Sequence, residues 1–181
     1  MLVVGAGTGD AAVTAARSGA EVVAFDVSDA MLDRVRARAE ATGVHVATRV
    51  GDVRAPGAIE PAAWDRIAAP FLLTCIAADE LDAVVRTLAA GLAPGGTLAV
   101  SDFVPAPRGG LTRGLYRLYY GGPSLLFGAL ARNPVQPPHD LTDPAAAAGL
   151  VVERRARVGV YGIGPRWYET VVWRQGDPPV D

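Results

Sequence analysis

The chain begins MLVVGAGTGD (Met1–Asp10), in which three apolar residues follow Met1 and a glycine-rich turn follows them. Leu2, Val3 and Val4 have the branched, apolar character of a short buried strand. Gly5, Gly7 and Gly9 remove Cβ atoms where a backbone must turn tightly or lie close to a ligand. The Ala-rich stretch from Asp10 to Ser18 reads as a helix. Its N-terminus, behind the glycines, offers free N–H groups and a positive dipole, a setting suited to a nucleotide-bearing ligand.

Spacing narrows the ligand. Dinucleotide loops follow G-x-G-x-x-G, the third glycine letting helix and strand pack closely. Here the pattern is G-x-G-x-G, and Asp10 holds the place of that third glycine. A carboxylate there is an awkward neighbour for a pyrophosphate. The loop therefore favours S-adenosylmethionine, which has no phosphate, with a nicotinamide or flavin dinucleotide as the alternative.

Outward from the loop, short β-branched runs alternate with helical ones. EVVAFD (Glu21–Asp26) is a second strand, and Ser28 caps a helix running to Ala41, with Met31, Leu32 and Val35 on its inner stripe. Val44–Val50 forms a third strand ending in GDV, and Trp64–Cys75 a fourth, with Pro70 near its end. Asp79–Leu92 is helical until APGG stops it, and Thr97–Phe103 is a fifth strand. After a Pro-, Gly- and aromatic-rich insert over residues 104–140 come a short helix (Asp143–Ala148) and two strands (Val151–Val160 and Trp167–Trp173), with QGDPPVD as a frayed tail. The alternation predicts one α/β domain over residues 1–181: a Rossmann-like, doubly wound sheet, mostly parallel with an antiparallel last strand, and a helical insert after strand five.

Three strand ends carry ligand-type residues on the carboxyl edge, where such sheets bind ligands. They are the glycine loop, Asp26, suited to accept from ribose hydroxyls, and Asp52, suited to accept from an adenine amine. Asp26 as a helix cap and Asp52 as a plain turn residue are the alternatives. In order and spacing, VVGAGTG, FDVS, GDV…AP, WDRIAAPFLL and LAPGGTLAVSD (residues 1–103) resemble the class I S-adenosylmethionine-dependent methyltransferases. Overall the chain looks most like the ubiquinone/menaquinone-biosynthesis group of small-molecule methyltransferases. QPPHDLTDPAAAAGLVVE (residues 136–153) is similar to the helix leading into that family's last two strands. The resemblance implies Gly5, Ala6, Gly7, Thr8 and Gly9 against the methionine part of the cofactor, Asp26 at the ribose, and Val27 and Met31 on one adenine face. Gly51, Asp52 and Val53 would then line the adenine edge, and Ala69 to Phe71 would lie beneath the cofactor. Two features depart from the family pattern. Val3 stands where many relatives place an acidic residue, and no helix precedes the first strand.

Composition bounds the partners. Half of the 181 residues are hydrophobic and a fifth charged, as in a globular enzyme. A net charge of −2 disfavours a nucleic-acid partner. All the basic residues are Arg, which with the abundant Ala, Gly and Pro points to a GC-rich bacterial coding sequence. The apolar run Ile67–Ala78 is too short to cross a bilayer, and no charged region leads an apolar one at the start, so a cytoplasmic protein is expected. An open cofactor face would suit a homodimer. Cys75, alone of its kind, is expected to be buried and inert. No metal ligands are nominated.

Methyl transfer from a sulfonium needs alignment and exclusion of water more than a dedicated side chain, though a base helps a hydroxyl or acidic carbon. His139, after the insert, and Tyr120, within it, are the candidate catalytic residues, with a capping role the alternative for His139. Asp102 ends strand five and faces the same choice. His45 is expected inside strand three as a structural or surface residue. Leu111, Leu115 and Leu118 with Tyr116, Tyr119 and Tyr120 form an apolar, aromatic cap over the substrate side of residues 104–140, or else simply core. An apolar or aromatic acceptor (quinol, polyketide or lipid-like) is the expectation. The alternatives are a relative that keeps the cofactor for another reaction, such as a cyclisation, and a non-catalytic binding protein.

Overall fold

A computed structural model of the chain describes residues 1–104, 114, 138–159 and 166–176. Five strands run parallel: β1 (Leu2–Val4), β2 (Val23–Asp26), β3 (Ala47–Val50), β4 (Trp64–Pro70) and β5 (Leu92–Phe103). β7 (Tyr168–Gln175) lies antiparallel to β5, and β6 (Leu150–Val158) antiparallel to β7. The sheet order is β3-β2-β1-β4-β5-β7-β6, so the order reverses beside β1. The described residues include the helices α1 (Asp10–Arg17), α2 (Asp29–Thr42), α3 (Leu81–Ala90) and α4 (Thr142–Ala147).

Strand alternation divides the core between two faces. Leu2 and Val4 join Ile67, Leu88, Leu92, Leu98 and Trp173 on the face covered by α3 and α4. Val3 joins Ala12, Val13, Leu32 and Val35 on the face covered by α1 and α2. β1 is therefore buried on both sides, as a central parallel strand must be. Each of its three side chains contributes a gross hydrophobic stabilisation of about 1.5–3 kcal/mol.

Local chemistry sets the helix ends. The Ser28 hydroxyl accepts from the Met31 N–H (3.4 Å), and Gly43, left-handed at φ 68°, closes α2. Leu32, Val35 and Ala39, at helical spacing, face the core. β6 is an edge strand, exposed from Val151 to Val158, and its charges Glu153, Arg154, Arg155 and Arg157 guard that edge.

Several boundaries differ from expectation. β5 starts at Leu92 rather than Thr97, because Trp64 pairs with Leu92 and Arg66 with Thr97 across an irregularity in the ladder. APGG thus lies within the strand; a Cβ on Gly96 would meet the carbonyl oxygens of Ala93 (2.8 Å) and Trp64 (2.9 Å). β4 ends at Pro70, and Leu73–Cys75 is a 3₁₀ turn instead of strand. His45 is exposed in the loop before β3, not inside the strand. Cys75 is exposed, not buried, although crowding around its sulfur and then the Asp102 charge push its thiol above the ordinary range. Among the described residues, no helix is long and apolar enough to cross a membrane.

Candidate active site

The turn after β1 is built from three left-handed glycines, Gly5 (φ 67°), Gly7 (φ 52°) and Gly9 (φ 89°). Gly5 and Ala6 both donate to the Phe25 carbonyl, at 2.8 and 3.2 Å, which fastens the loop to the end of β2. A Cβ on Gly9 would lie 3.1 Å from Val35 Cα, so this glycine permits close contact between the loop and α2. In front of Gly7 there is room, the nearest atom to such a Cβ being the Gly5 carbonyl oxygen at 4.0 Å. The Asp10 carboxylate accepts from the Thr8 hydroxyl of the loop (3.1 Å) and lies 2.7 Å from Arg38 of α2.

Asp26, 9% exposed, is the most deeply placed acid of this edge. Its Oδ2 accepts from Gly7 N–H and its Oδ1 from Ser28 N–H, both at 2.9 Å. Each oxygen keeps a further lone pair. Helix capping falls to Ser28, leaving Asp26 free of that task.

Asp52 and Val53 follow β3, and Gly51 packs so tightly on Phe25 that a Cβ would lie 2.6 Å from the ring. The Val53 side chain is buried in the core, so only its backbone is available at the edge. Asp52 is gripped by Arg54: Nε reaches Oδ1 and Oδ2 at 3.0 and 3.1 Å, Nη2 reaches Oδ2 at 2.7 Å, and the Arg54 N–H reaches Oδ1 at 2.9 Å. The guanidinium holds the Asp52 carboxyl below its ordinary range. Sequence reading missed Arg54, although its place two residues after Asp52, across a turn, was the available signal.

Ala69 is wholly buried, so its backbone alone can underlie a cofactor. Val27 is 67% and Phe71 44% exposed, and Met31 is half-buried, which leaves apolar surface on both flanks of the glycine loop. Phe71 holds a left-handed backbone (φ 53°). Its ring centroid lies 5.5 Å from that of Phe103 and 5.8 Å from that of Tyr168, which are 5.0 Å apart. Phe103 and Tyr168 were not anticipated; they meet because they are partners across the β5–β7 ladder.

Beside this cluster is a cleft of about 140 Å³ lined by Asp102, Phe103, His139, Arg155, Arg157 and Glu169, among others. Asp102 accepts from Thr74 N–H (3.1 Å) and Phe103 N–H (2.8 Å), yet burial still pushes its carboxyl above the ordinary range. His139 Nε2 is 3.1 Å from the Ile76 carbonyl oxygen. A carbonyl only accepts, so Nε2 carries the hydrogen and Nδ1 keeps a lone pair in the neutral ring. Tyr120 and the rest of the expected aromatic cap lie outside the described residues.

The family described as "Methyltransferase domain" matches residues 1–96, more than half of the chain. No curated protein is detectably similar to it in sequence. Among solved structures, an S-adenosylmethionine-dependent methyltransferase from Methanosarcina mazei is 13% identical with a TM-score of 0.69, covering 97% of this chain and 91% of that one. Magnesium protoporphyrin IX methyltransferase from Synechocystis, with bound S-adenosylhomocysteine, is 20% identical with a TM-score of 0.70, over 97% of this chain and 73% of that one. The [4+2]-cyclase SpnF gives the same identity, TM-score and coverage. The chain belongs to the methyltransferase-domain family and has the class I S-adenosylmethionine-dependent methyltransferase fold. S-adenosylmethionine is the cofactor of that class.

Proposed function

We propose that the chain moves a methyl group from S-adenosylmethionine to a small acceptor with an aromatic or apolar ring. The observation that carries this reading is the aromatic cluster of Phe71, Phe103 and Tyr168. It stands at the carboxyl ends of β4 and β5, on the edge that also bears the glycine loop and Asp26. The residues present suit the cofactor: open space before Gly7, lone pairs left on Asp26, and exposed Val27 and Phe71 for apolar parts. When bound, S-adenosylmethionine supplies an activated methyl on a sulfonium.

This chain's own residues orient and shield. Gly5–Gly9 and Asp26 hold the cofactor, while the exposed Phe71 gives the acceptor ring a face to stack on. His139 takes the acceptor's proton at Nδ1, its tautomer set by the Ile76 carbonyl. The likeness to the cyclase SpnF supports a second reading, in which the same scaffold serves a different reaction.

The test is label transfer from methyl-tritiated S-adenosylmethionine to a panel of phenols, quinols and small polar amines. Label on ring acceptors is the expected result. Label on the polar amines alone overturns the acceptor class, and conversion of an acceptor without label favours the second reading.

A further inference from the structure

The grip of Arg54 on Asp52 has a functional consequence. A carboxylate offers about four lone-pair sites, and Arg54 sets three N–H hydrogens on this one, the single Nε–H shared between both oxygens. A further donor to Asp52 must therefore compete with a guanidinium that touches both oxygens. The guanidinium also has a second carboxylate within reach: Arg54 Nη1 lies 3.4 Å from Oε2 of Glu80, at the start of α3. Arg54, Asp52 and Glu80 are all partly exposed, so moving the guanidinium from one acid to the other costs little.

We propose that Arg54 is a latch on the adenine subsite: it holds Asp52 as the side chains stand, and it passes to Glu80 when an adenine amine takes its place. The proposal rests on the reading of Asp52 as the residue at the adenine edge. The latch sets both the affinity for the cofactor and its dependence on ionic strength. In the wild type, salt weakens the Arg54–Asp52 pair and so eases entry of the amine, partly offsetting any general loss of affinity. Without Arg54 that offset is gone. Without the Glu80 charge, the displaced guanidinium loses the acid that receives it.

Titration calorimetry with S-adenosylhomocysteine tests this on the purified chain, without an acceptor. Arg54→Ala is expected to bind about two- to fivefold more tightly than wild type, the range of an exposed ion pair. Glu80→Gln is expected to bind two- to fivefold more weakly. The 6-oxo analogue S-inosylhomocysteine should bind weakly to both wild type and Arg54→Ala, with the gain from Arg54→Ala abolished. Weaker binding by Arg54→Ala, with its circular dichroism and melting temperature unchanged, overturns the latch by showing that Arg54 itself holds the ligand. Equal affinities in all three proteins overturn it by leaving Asp52 out of the subsite. No binding of S-adenosylhomocysteine to wild type or variants overturns the methyltransferase reading itself, and the latch with it.

Discussion

At the scale of single residues, the carboxyl edge is organised by acids whose surroundings differ. Asp26 is nearly buried and tied to two backbone N–H groups, one from the glycine loop and one from the start of α2. Asp26→Asn keeps the shape but turns an NH₂ toward one of those donors, leaving a backbone N–H unpaired. The expected cost is about 1–3 kcal/mol, read as a lower urea midpoint, together with weaker S-adenosylhomocysteine binding. An unchanged midpoint would show that the loop is held by other contacts. At Asp102, burial raises the pKa in the folded state, so the folded chain holds that proton more tightly than the unfolded chain. The linkage then runs one way: stability tied to Asp102 is present below the ordinary carboxylate range and lost as pH rises through the raised value. Melting temperatures of wild type and Asp102→Asn, measured from acid to neutral pH, should therefore change in favour of the variant as pH rises. Parallel profiles sink the prediction. Asp26 was legible in the sequence because chain distance from the glycine loop places it at a strand end. The Arg54 grip was not, because it depends on a rotamer, and the Phe103–Tyr168 contact was not, because it joins residues brought together only by the β5–β7 register.

At the scale of elements, periodicity located most strands and helices, while their ends were decided by contacts that periodicity does not carry. Ser28 and Gly43 bounded α2 because capping is local chemistry. β5 ran five residues earlier than its apolar pattern suggests because Leu92 finds a ladder partner in Trp64, a tertiary fact. The glycine loop joins the two kinds of information. Gly9 is legible as part of a motif, but its packing on Val35 is visible only in three dimensions. Gly9→Ala combines a left-handed backbone at φ 89° with a Cβ 3.1 Å from Val35 Cα and Cγ2. Because the obstructing atoms include backbone, the helix cannot yield as a side-chain tip could. A destabilisation of about 1–3 kcal/mol is expected. By contrast, a Cβ on Gly19 meets nothing within 4 Å, so Gly19→Ala should cost only its backbone strain. Chemical denaturation of the two variants compares them directly, and equal losses would remove the loop–helix contact from the account.

At the scale of the molecule, the sheet joins a parallel half to an antiparallel C-terminal hairpin. β1, with its neighbours β2 and β4, sits at the reversal of strand order, and the loops leaving their carboxyl ends carry residues proposed to hold the cofactor. β6 and β7 extend the sheet beyond β5 and expose an edge at β6. A ligand that binds only the folded chain stabilises it by about 2.7 kcal/mol at a hundredfold excess over Kd. For a domain of this length, that corresponds to a rise in Tm of roughly 5–10 °C. Hydrogen exchange locates the effect. S-adenosylhomocysteine should slow exchange in residues 5–9, 26–28 and 51–54, whose N–H groups lie in loops at the carboxyl edge. Exchange along β6 should change little, because its outer N–H groups face solvent at the sheet edge and open locally without disturbing the site. Uniform protection, β6 included, would mean that the ligand acts only through global stability and does not order these loops directly. Protection confined to β6 and β7 would place the ligand away from the glycine loop and remove the basis for assigning Gly5–Gly9 and Asp26 to the cofactor.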